Sequence, residues 1–255
     1  MLTEELFETT PPQRRKALAR PWIGVALFAL AAWLGWWWAT FPIMFGIFVA
    51  VVTVTHDVVH RSIGLRHRAT EWALFFCGLV LLESGHAYRL THLQHHKTFP
   101  GDVDPEGYPA KIGWFGSVLY GPIFLARLWW WSWRRSPRTR VWLAVEGAMP
   151  FAAIAGGVAL WPTTPGLLVY AVMAIAGSWV YPLLTVYLPH HDYGDTPMTQ
   201  TRTLRGRVIP ALFLELTYHL EHHLYPGVPS HHLAELSRRL DLVLAAAGVR
   251  PRKVI

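Results

Sequence analysis

The sequence predicts an all-α integral membrane protein with four transmembrane helices in two hairpins, interfacial helices, and a cytoplasmic helical cap that carries clustered histidines. Three observations lead to this prediction. Hydrophobic residues make up 53% of the 255 residues and charged residues only 15%, whereas soluble chains carry about 25% charged residues. All 23 lysines and arginines lie outside two stretches, residues 21–60 and 141–189. The chain also contains 14 histidines, most of them close to the ends of these stretches or after them.

The composition excludes several classes of protein. A disordered tail and an acidic scaffold are incompatible with so many apolar residues and a net charge of +7. Cys77 is the only cysteine, so no intrachain disulfide, Cys-based zinc site or cysteine-ligated iron–sulfur cluster can form. Its position inside an apolar run predicts a small, buried hydrophobic side chain.

Each apolar stretch is long enough for two transmembrane helices. Residues 21–55 contain no Asp, Glu, Lys or Arg, and a helix that spans a bilayer needs about 20 residues. Because proline interrupts helical hydrogen bonding, we place a turn at Phe41-Pro42, with spans over residues 22–40 and 43–60. A turn at the proline-containing segment 161–165 divides the second stretch into spans over residues 141–160 and 166–188.

The positions of the cations predict the orientation in the membrane. Both hairpin tips lack Lys and Arg, whereas basic residues flank the opposite ends of all four spans. The positive-inside bias therefore places both termini in the cytoplasm. The shorter apolar segments 72–82 and 112–133 are expected to lie in the cytoplasmic interface. Membrane topology accounts for the net positive charge, so nucleic-acid binding is not expected.

Three histidine clusters predict a metal centre. Their members are spaced i, i+3 and i+4, or i and i+4, so their imidazoles can share one face of a helix. In the predicted topology every cluster lies on the cytoplasmic side of the membrane, so the imidazoles of all three clusters can converge on one site. A ninth ligand is expected after the fourth span, at His190 or at its neighbour His191. The eight clustered residues are His56, His60, His92, His95, His96, His219, His222 and His223.

The ligand types narrow the choice of metal. Imidazole suits zinc, iron, copper and nickel, and the zinc-protease motif HExxH does not occur in the sequence. Eight or nine neutral donors exceed the needs of one tetrahedral zinc and suit two metal ions. We favour iron because redox chemistry gives a reason to collect so many ligands, although the ligand types also allow zinc. A His-rich metal transporter is the alternative class, but its ion site would lie near the bilayer midplane.

Several carboxylates are candidates for holding the imidazoles in place, since ligating histidines usually donate their second N–H to such a group. Asp57 and Glu221 adjoin predicted ligands, and Asp192 follows His191. Glu146, a charge within the third span, is a functional candidate by its position. Further carboxylate candidates are Asp102, Asp104 and Glu106. Surface or core positions are expected for His67, His86, His231 and His232.

The segments HDVVH, HLQHH and YHLEHHLYPGVP resemble the three histidine boxes of the membrane fatty-acid desaturase superfamily, which includes bacterial-type β-carotene hydroxylases and ketolases. The resemblance covers about residues 55–236 and implies a single membrane-embedded desaturase-like domain over residues 1–255. It also implies two non-haem iron ions that use O2 to oxidise an unactivated C–H bond of a lipid. The superfamily's box histidines correspond to the eight residues named above, and its additional histidine after the last span corresponds to His190.

The resemblance supports two substrate classes, carotenoids and acyl lipids, about equally. YLPH at residues 187–190 and Asp104-Pro105 are similar to carotenoid hydroxylases and ketolases, whereas HHLYPGVPSHHL at residues 222–233 is similar to acyl desaturases. The sequence contains no GxGxxG fingerprint, so a separate electron donor of the ferredoxin or cytochrome type is expected on the basic cytoplasmic face. The enzyme alternative is a zinc or iron lipid hydroxylase of the sterol and sphingolipid type, whose longer histidine set is not present.

Overall fold

The computed structural model describes residues 4–255, except for the side chains of residues 214 and 215, and is mostly helical. A 3₁₀ turn (Ser178–Val180) and a π-helix (Pro182–Tyr187) connect the helices Gly166–Gly177 and Leu188–His190 as one helical run. Two short strands, β1 (Leu204–Arg205) and β2 (Arg252–Lys253), pair in parallel. The helices are α1 (Pro11–Trp33), α2 (Trp37–Val59), α3 (His67–Leu81), α4 (Gly85–Thr98), α5 (Gly113–Arg135), α6 (Arg140–Leu160), α7 (Gly166–Gly177), α8 (Leu188–His190), α9 (Val208–Phe213), α10 (His219–Leu224) and α11 (Leu233–Ala246).

Three helical segments of the described chain are long and apolar enough to cross a membrane. They are Trp37–Val59, Pro137–Leu160 and Gly166–His190, and they correspond to the second, third and fourth predicted spans. The first predicted span, residues 22–40, is not among them. Helix α1 begins at Pro11 and carries its cations in its first half, so its apolar part is confined to residues 21–33. The helix therefore ends seven residues before the predicted end of the span.

The turn between α1 and α2 does not lie at Phe41-Pro42, so that placement is wrong. Gly35 adopts a φ of 73°, and the N–H groups of Gly35 and Trp36 donate to the carbonyls of Ala32 and Ala31 at 3.1 and 2.8 Å. This pattern of hydrogen bonds closes the C-terminus of a helix around a left-handed residue, for which glycine is suited. Pro42 lies in the second turn of α2, where its missing N–H removes a single helical hydrogen bond.

Helix α2 lies at the centre of the larger hydrophobic core. Almost every residue from Ile47 to Val59 is buried, and α1 packs closely against it, since a Cβ atom on Gly24 would lie 2.5 Å from Cγ1 of Ile47. Cys77 of α3 packs in the same core with 3% of its surface exposed, which confirms the buried position that we predicted. Helix α5 continues through Pro122, so the expected segment 112–133 forms one helix.

A buried polar network fixes the start of α4. The two imidazole nitrogens of His86 lie 2.6 Å from Oε1 of Glu146 and 3.2 Å from Oε2 of Glu71. Ser84, the N-cap of α4, donates to the other oxygen of Glu146. The predicted intramembrane charge of Glu146 is thus paired inside the protein, and it ties α6 to α4. The same contacts place His86 in the core, as expected.

The C-terminal segment forms a second layer with its own hydrophobic cluster. Leu236 and Leu240 of α11 pack with Leu220 of α10 and with Leu6 near the N-terminus. Arg205 donates to the Asp241 carboxylate, and the β1–β2 pairing returns the end of the chain to the same layer. This layer carries α10 and therefore the third histidine cluster.

Candidate metal centre

The histidine clusters meet where α2, α4, α8 and α10 converge. His56 lies in the last turn of α2, and His60 is the residue that caps it. His190 ends α8. The second and third clusters lie on α4 and α10, respectively. Helices that are far apart in sequence therefore direct their imidazoles into one buried region.

The imidazoles form two separate groups, each able to hold a metal ion by its donor atoms and spacing. Within each group, one nitrogen from every ring lies within 4.8 Å of the others. We call them group one and group two. Group one contains His56, His60, His92, His96 and His222, and group two contains His95, His190, His219 and His223.

The HxxHH pattern contributes to both groups from a single helix. On α4, the i and i+4 residues His92 and His96 join group one, while His95 joins group two. On α10 the assignment is reversed, because His219 and His223 join group two and His222 joins group one. Residues i and i+4 share a helix face, whereas an adjacent residue points about 100° away. Each helix therefore lies between the two groups and supplies both.

The arrangement in group two fits a bound cation. Nδ1 of His95 lies 2.8 Å from Oδ2 of Asp104, and Nδ1 of His190 lies 3.0 Å from the carbonyl of Gln200. Both partners accept hydrogen bonds, so both rings carry a proton on Nδ1, which leaves Nε2 as the atom available to a cation. These two Nε2 atoms are 3.2 Å apart. Two ring nitrogens at that distance are stabilised by a cation between them, either a metal ion or a proton.

The other distances between ligand atoms fit the same interpretation. Nε2 of His219 lies 3.0 Å from Nε2 of His190, and Nε2 of His222 lies 2.9 Å from Nε2 of His96. Nitrogens bound at about 2.1 Å and at right angles around one metal are about 3.0 Å apart. Both groups thus have the nitrogen separations expected around a metal ion.

Burial keeps most of these imidazoles neutral. Burial, followed by the charges of neighbouring histidines, holds the pKa of His219, His222 and His223 well below the usual range. The pKa of His92 is lowered for the same reasons. A neutral imidazole keeps a lone pair for a metal, whereas a protonated ring does not. The lowered pKa values therefore leave these four rings neutral and able to bind a metal ion at neutral pH.

Two carboxylates from the loop after α4 contact the Nδ1 atoms of His95 and His92. Burial lowers the pKa of His95, but the hydrogen bond and charge of Asp104 outweigh it and raise that pKa overall. Oε2 of Glu106 lies 3.2 Å from Nδ1 of His92, and the hydroxyl of Thr91 donates to Oε1 at 2.6 Å. Burial raises the pKa of Glu106 to about 7. Asp104 also accepts from the backbone N–H of Glu106, which fixes the turn between the two residues.

The other candidate carboxylates make different contacts. Asp57 accepts from the backbone and hydroxyl of Ser230 at 2.9 and 2.8 Å, which ties α2 to the C-terminal layer. Glu221 accepts from the hydroxyl of Thr203 at 2.6 Å. Asp192 is 84% exposed and lies 3.7 Å from His191, so the structure gives no support to its role beside a ligand. Asp102 pairs with Lys111 at the surface.

The structure distinguishes the adjacent histidines after the last apolar helix. His190 is fully buried in group two, whereas His191 lies outside both groups and contacts Arg202 and Arg252. His67 is exposed beside Glu71. Nδ1 of His232 lies 3.0 Å from the carbonyl of Leu6, and the ring of its neighbour His231 meets it edge-on, outside α10. These positions agree with the surface and core roles expected for them.

A narrow, largely apolar cavity leads to the imidazoles. His56, His92, His95, His219 and His222 form its inner wall, so it contacts both groups. Apolar side chains from α2, the π-helix, α8, α9 and the segment before α10 line much of the rest. They include Phe48, Val52, Leu184, Leu188, Ile209, Phe213 and Leu216. The cavity is therefore suited to a hydrocarbon chain placed beside the two imidazole groups.

Sequence reasoning missed three contributors to this site. Gln200 acts through its backbone carbonyl, which no sequence pattern identifies. Tyr88 stacks on His92 with ring centroids 4.9 Å apart and lines the cavity; it occurs four residues before the second cluster, a helical spacing that could have indicated it. Arg202 also lines the cavity, but its sequence position indicates only a basic flank.

Comparison with known proteins agrees with this geometry. The model of the fatty acid desaturase family matches residues 31–254, and the chain belongs to that family. It is 25% identical over 252 residues to an sn-1 oleoyl-lipid 12-desaturase of Picosynechococcus sp., covering 82% of this chain and 70% of the relative. It is 25% identical to the dihydrorhizobitoxine desaturase of Bradyrhizobium elkanii, covering 89% and 76%. A beta-carotene ketolase of Paracoccus sp. is 26% identical, covering 84% and 78%.

Family membership confirms the resemblance found in the histidine motifs. It supports an oxidoreductase of the desaturase and carotenoid-ketolase type that associates with membranes and depends on iron. The three apolar helical segments and the two imidazole groups are consistent with that class.

Proposed function

We propose that this protein is a membrane-bound non-haem di-iron oxidoreductase that uses O2 and external electrons to oxidise unactivated C–H bonds of a lipid. The reaction is fatty-acyl desaturation or carotenoid ring hydroxylation and ketolation. The observation that carries the proposal is the pair of imidazole groups beside one apolar cavity. Two groups of neutral donors are suited to two metal ions, and the cavity is suited to a hydrocarbon.

The side chains have separate tasks in this proposal. Group one and group two each hold one iron, and the iron pair supplies the redox chemistry with O2. Asp104 and Glu106 orient His95 and His92 through their second nitrogens. The apolar walls position the chain and exclude water. For desaturation, the substrate loses two hydrogens, and O2 takes up two external electrons and two protons to give two waters.

The external electrons require a donor protein of the ferredoxin or cytochrome type. A second, open cleft reaches His60 on the side lined by Arg61, His67 and Arg89. Glu71 in this cleft pairs with Arg89, while Arg61 adds further positive charge. A basic cleft beside a proposed ligand would attract an acidic donor and shorten the electron path.

The proposal includes the topology expected from the sequence. A single desaturase-like domain, residues 1–255, would place α1 with α2 and α6 with α7 as two transmembrane hairpins. Both termini and the metal centre would lie on the cytoplasmic side, where the basic flanks gather. The corrected turn at Gly35 leaves α1 with a short apolar part, so its cations would lie at the headgroups.

Metal analysis combined with product analysis tests the function. Purified protein should contain two irons per chain, and cells that make β-carotene should show either new pigments or new acyl double bonds when they express it. His95→Ala should abolish the product, whereas His231→Ala, which alters a histidine outside both imidazole groups and both clefts, should not. One zinc per chain, or transport of metal across vesicles, would contradict the proposal.

A further inference from the structure

Two arginines converge on a single histidine beside the cavity. Guanidinium nitrogens of Arg202 and Arg252 lie 3.0 and 2.6 Å from Nε2 of His191. Arg202 lines the cavity that reaches the imidazole groups, whereas Arg252 is exposed next to it. Like charges repel at such short separation, so this convergence requires a specific cause.

His191 provides one ring nitrogen that both cations contact. Its Nδ1 lies 3.0 and 3.1 Å from the carbonyls of Tyr187 and Leu188. Carbonyls only accept, so the proton is on Nδ1 and the Nε2 lone pair accepts from both guanidinium groups. The ring also stacks on Tyr187, with centroids 4.7 Å apart. His191 therefore orients both arginines without neutralising either of them.

The pair keeps a net positive charge. Asp192 lies 3.7 Å from the same Nε2 and is largely exposed, so one carboxylate faces two guanidinium groups. Burial, followed by the charge of Arg252, lowers the pKa of Arg202. Each guanidinium carries five N–H donors, so both retain donors after binding His191. An anion bound between them would relieve the repulsion.

The fold brings these residues together from distant parts of the chain. Leu204 pairs with Arg252 in the short β1–β2 ladder, and the N–H of Arg252 donates to the carbonyl of Thr203 at 2.9 Å. The end of the chain is thereby held beside the segment that follows the last apolar helix. The ladder thus fixes the second arginine next to the first.

The surroundings indicate how a ligand would be oriented. Helix α9, which contributes Ile209 and Phe213 to the cavity wall, exposes Val208 and Leu212. Exposed apolar side chains beside arginines are typical of a membrane interface. A lipid could therefore place its charged head at the arginines and its chain along the apolar wall toward the histidines.

We propose that Arg202 and Arg252 form a binding site for the anionic head group, phosphate or carboxylate, of an acyl-chain substrate. This inference rests on the proposed function and favours an acyl lipid over a neutral carotenoid, which has no group for two arginines to bind. Bidentate contacts from arginine suit both kinds of anion.

Binding measurements on purified, metal-depleted full-length protein test the proposal independently of catalysis. The probes are 1-oleoyl lysophosphatidic acid, oleate, methyl oleate and inorganic phosphate. We expect both anionic lipids to bind more tightly than methyl oleate. Arg202→Gln or Arg252→Gln should lower the affinity for the anionic lipids by about tenfold or more, the effect typical of a lost charged hydrogen bond. Arg202→Lys should recover part of the affinity, and methyl oleate should bind the wild type and both Gln variants equally.

The matched control is Arg250→Gln, which removes the same charge from an exposed position on the same terminal segment. It should leave all affinities unchanged. Equal binding of methyl oleate and oleate by the wild type would overturn the proposal, as would an equal loss from Arg250→Gln. Inorganic phosphate that binds as tightly as the lysophosphatidic acid would also overturn it, by indicating a site for free anions. Failure of the oxidoreductase proposal would appear separately, as a metal content other than two irons per chain.

Discussion

Asp104→Asn should weaken metal binding in group two and leave group one nearly unaffected. The carboxylate lies 2.8 Å from Nδ1 of His95 and accepts the backbone N–H of Glu106 at 2.8 Å. The single oxygen of an asparagine side chain faces only one of these two N–H donors. Its amide N–H group faces the other donor, so that hydrogen bond is lost. It also lacks the negative charge that makes His95 a stronger ligand. Substitutions of such supporting groups weaken metal binding by about 10- to 100-fold, or about 1.4–2.8 kcal/mol.

The assay is a chelator titration of purified, iron-loaded protein, with the metal remaining on the protein measured by elemental analysis. The wild type should release its irons at similar chelator concentrations. Asp104→Asn should release one iron per chain at a chelator concentration about 10- to 100-fold lower and the second iron at the wild-type concentration. The intermediate should therefore contain one iron per chain.

Asp102→Asn is the control for this substitution. Asp102 is a nearby carboxylate in the same loop, but its side chain is 99% exposed and pairs with Lys111. Its replacement should leave the titration unchanged. The reasoning would be refuted by an unchanged titration for Asp104→Asn, by equal effects of the two substitutions, or by simultaneous release of both irons at the lower concentration.

Three further predictions concern other parts of the chain. His190→Ala should reduce the iron content of the purified protein to about one per chain, whereas His191→Ala should retain both; elemental analysis decides, and an equal loss would contradict the grouping. Burial raises the pKa of Glu83 to about 7 from 4.5, so its contribution to stability is present below about pH 4.5 and is lost as the pH rises through about 7. The thermal midpoint of the wild type should fall over that range more than that of Glu83→Gln, and parallel pH profiles would exclude this cause. Glu146→Ala leaves the buried His86 without its shorter carboxylate contact and should lower the free energy of unfolding by about 3–5 kcal/mol, measured by denaturation in detergent; a loss below 1 kcal/mol would show that the pair contributes little.

Much of the architecture could be predicted from local sequence. The spans over residues 141–160 and 166–188 correspond closely to observed helical segments, because long apolar runs have few alternatives to helices. The turn at Gly35 was missed because proline was taken as the stronger interruption. A glycine ends a helix when its backbone adopts a left-handed conformation, and the sequence alone does not distinguish such a glycine from one inside a helix.

The sequence by itself determined the donor types and their helical spacing, and hence the prediction that eight clustered histidines bind metal. Only the tertiary structure decided how those donors divide between two groups, because the division depends on how α4 and α10 pack beside α2 and α8. It also brought Asp104 and Glu106 into contact with His95 and His92, whereas Asp192 lies beside His191. Spacing along one helix determines which side chains share a face, but partners from distant segments are brought together only by packing. For that reason, the neighbouring residues His190 and His191 have different surroundings that the sequence alone did not distinguish.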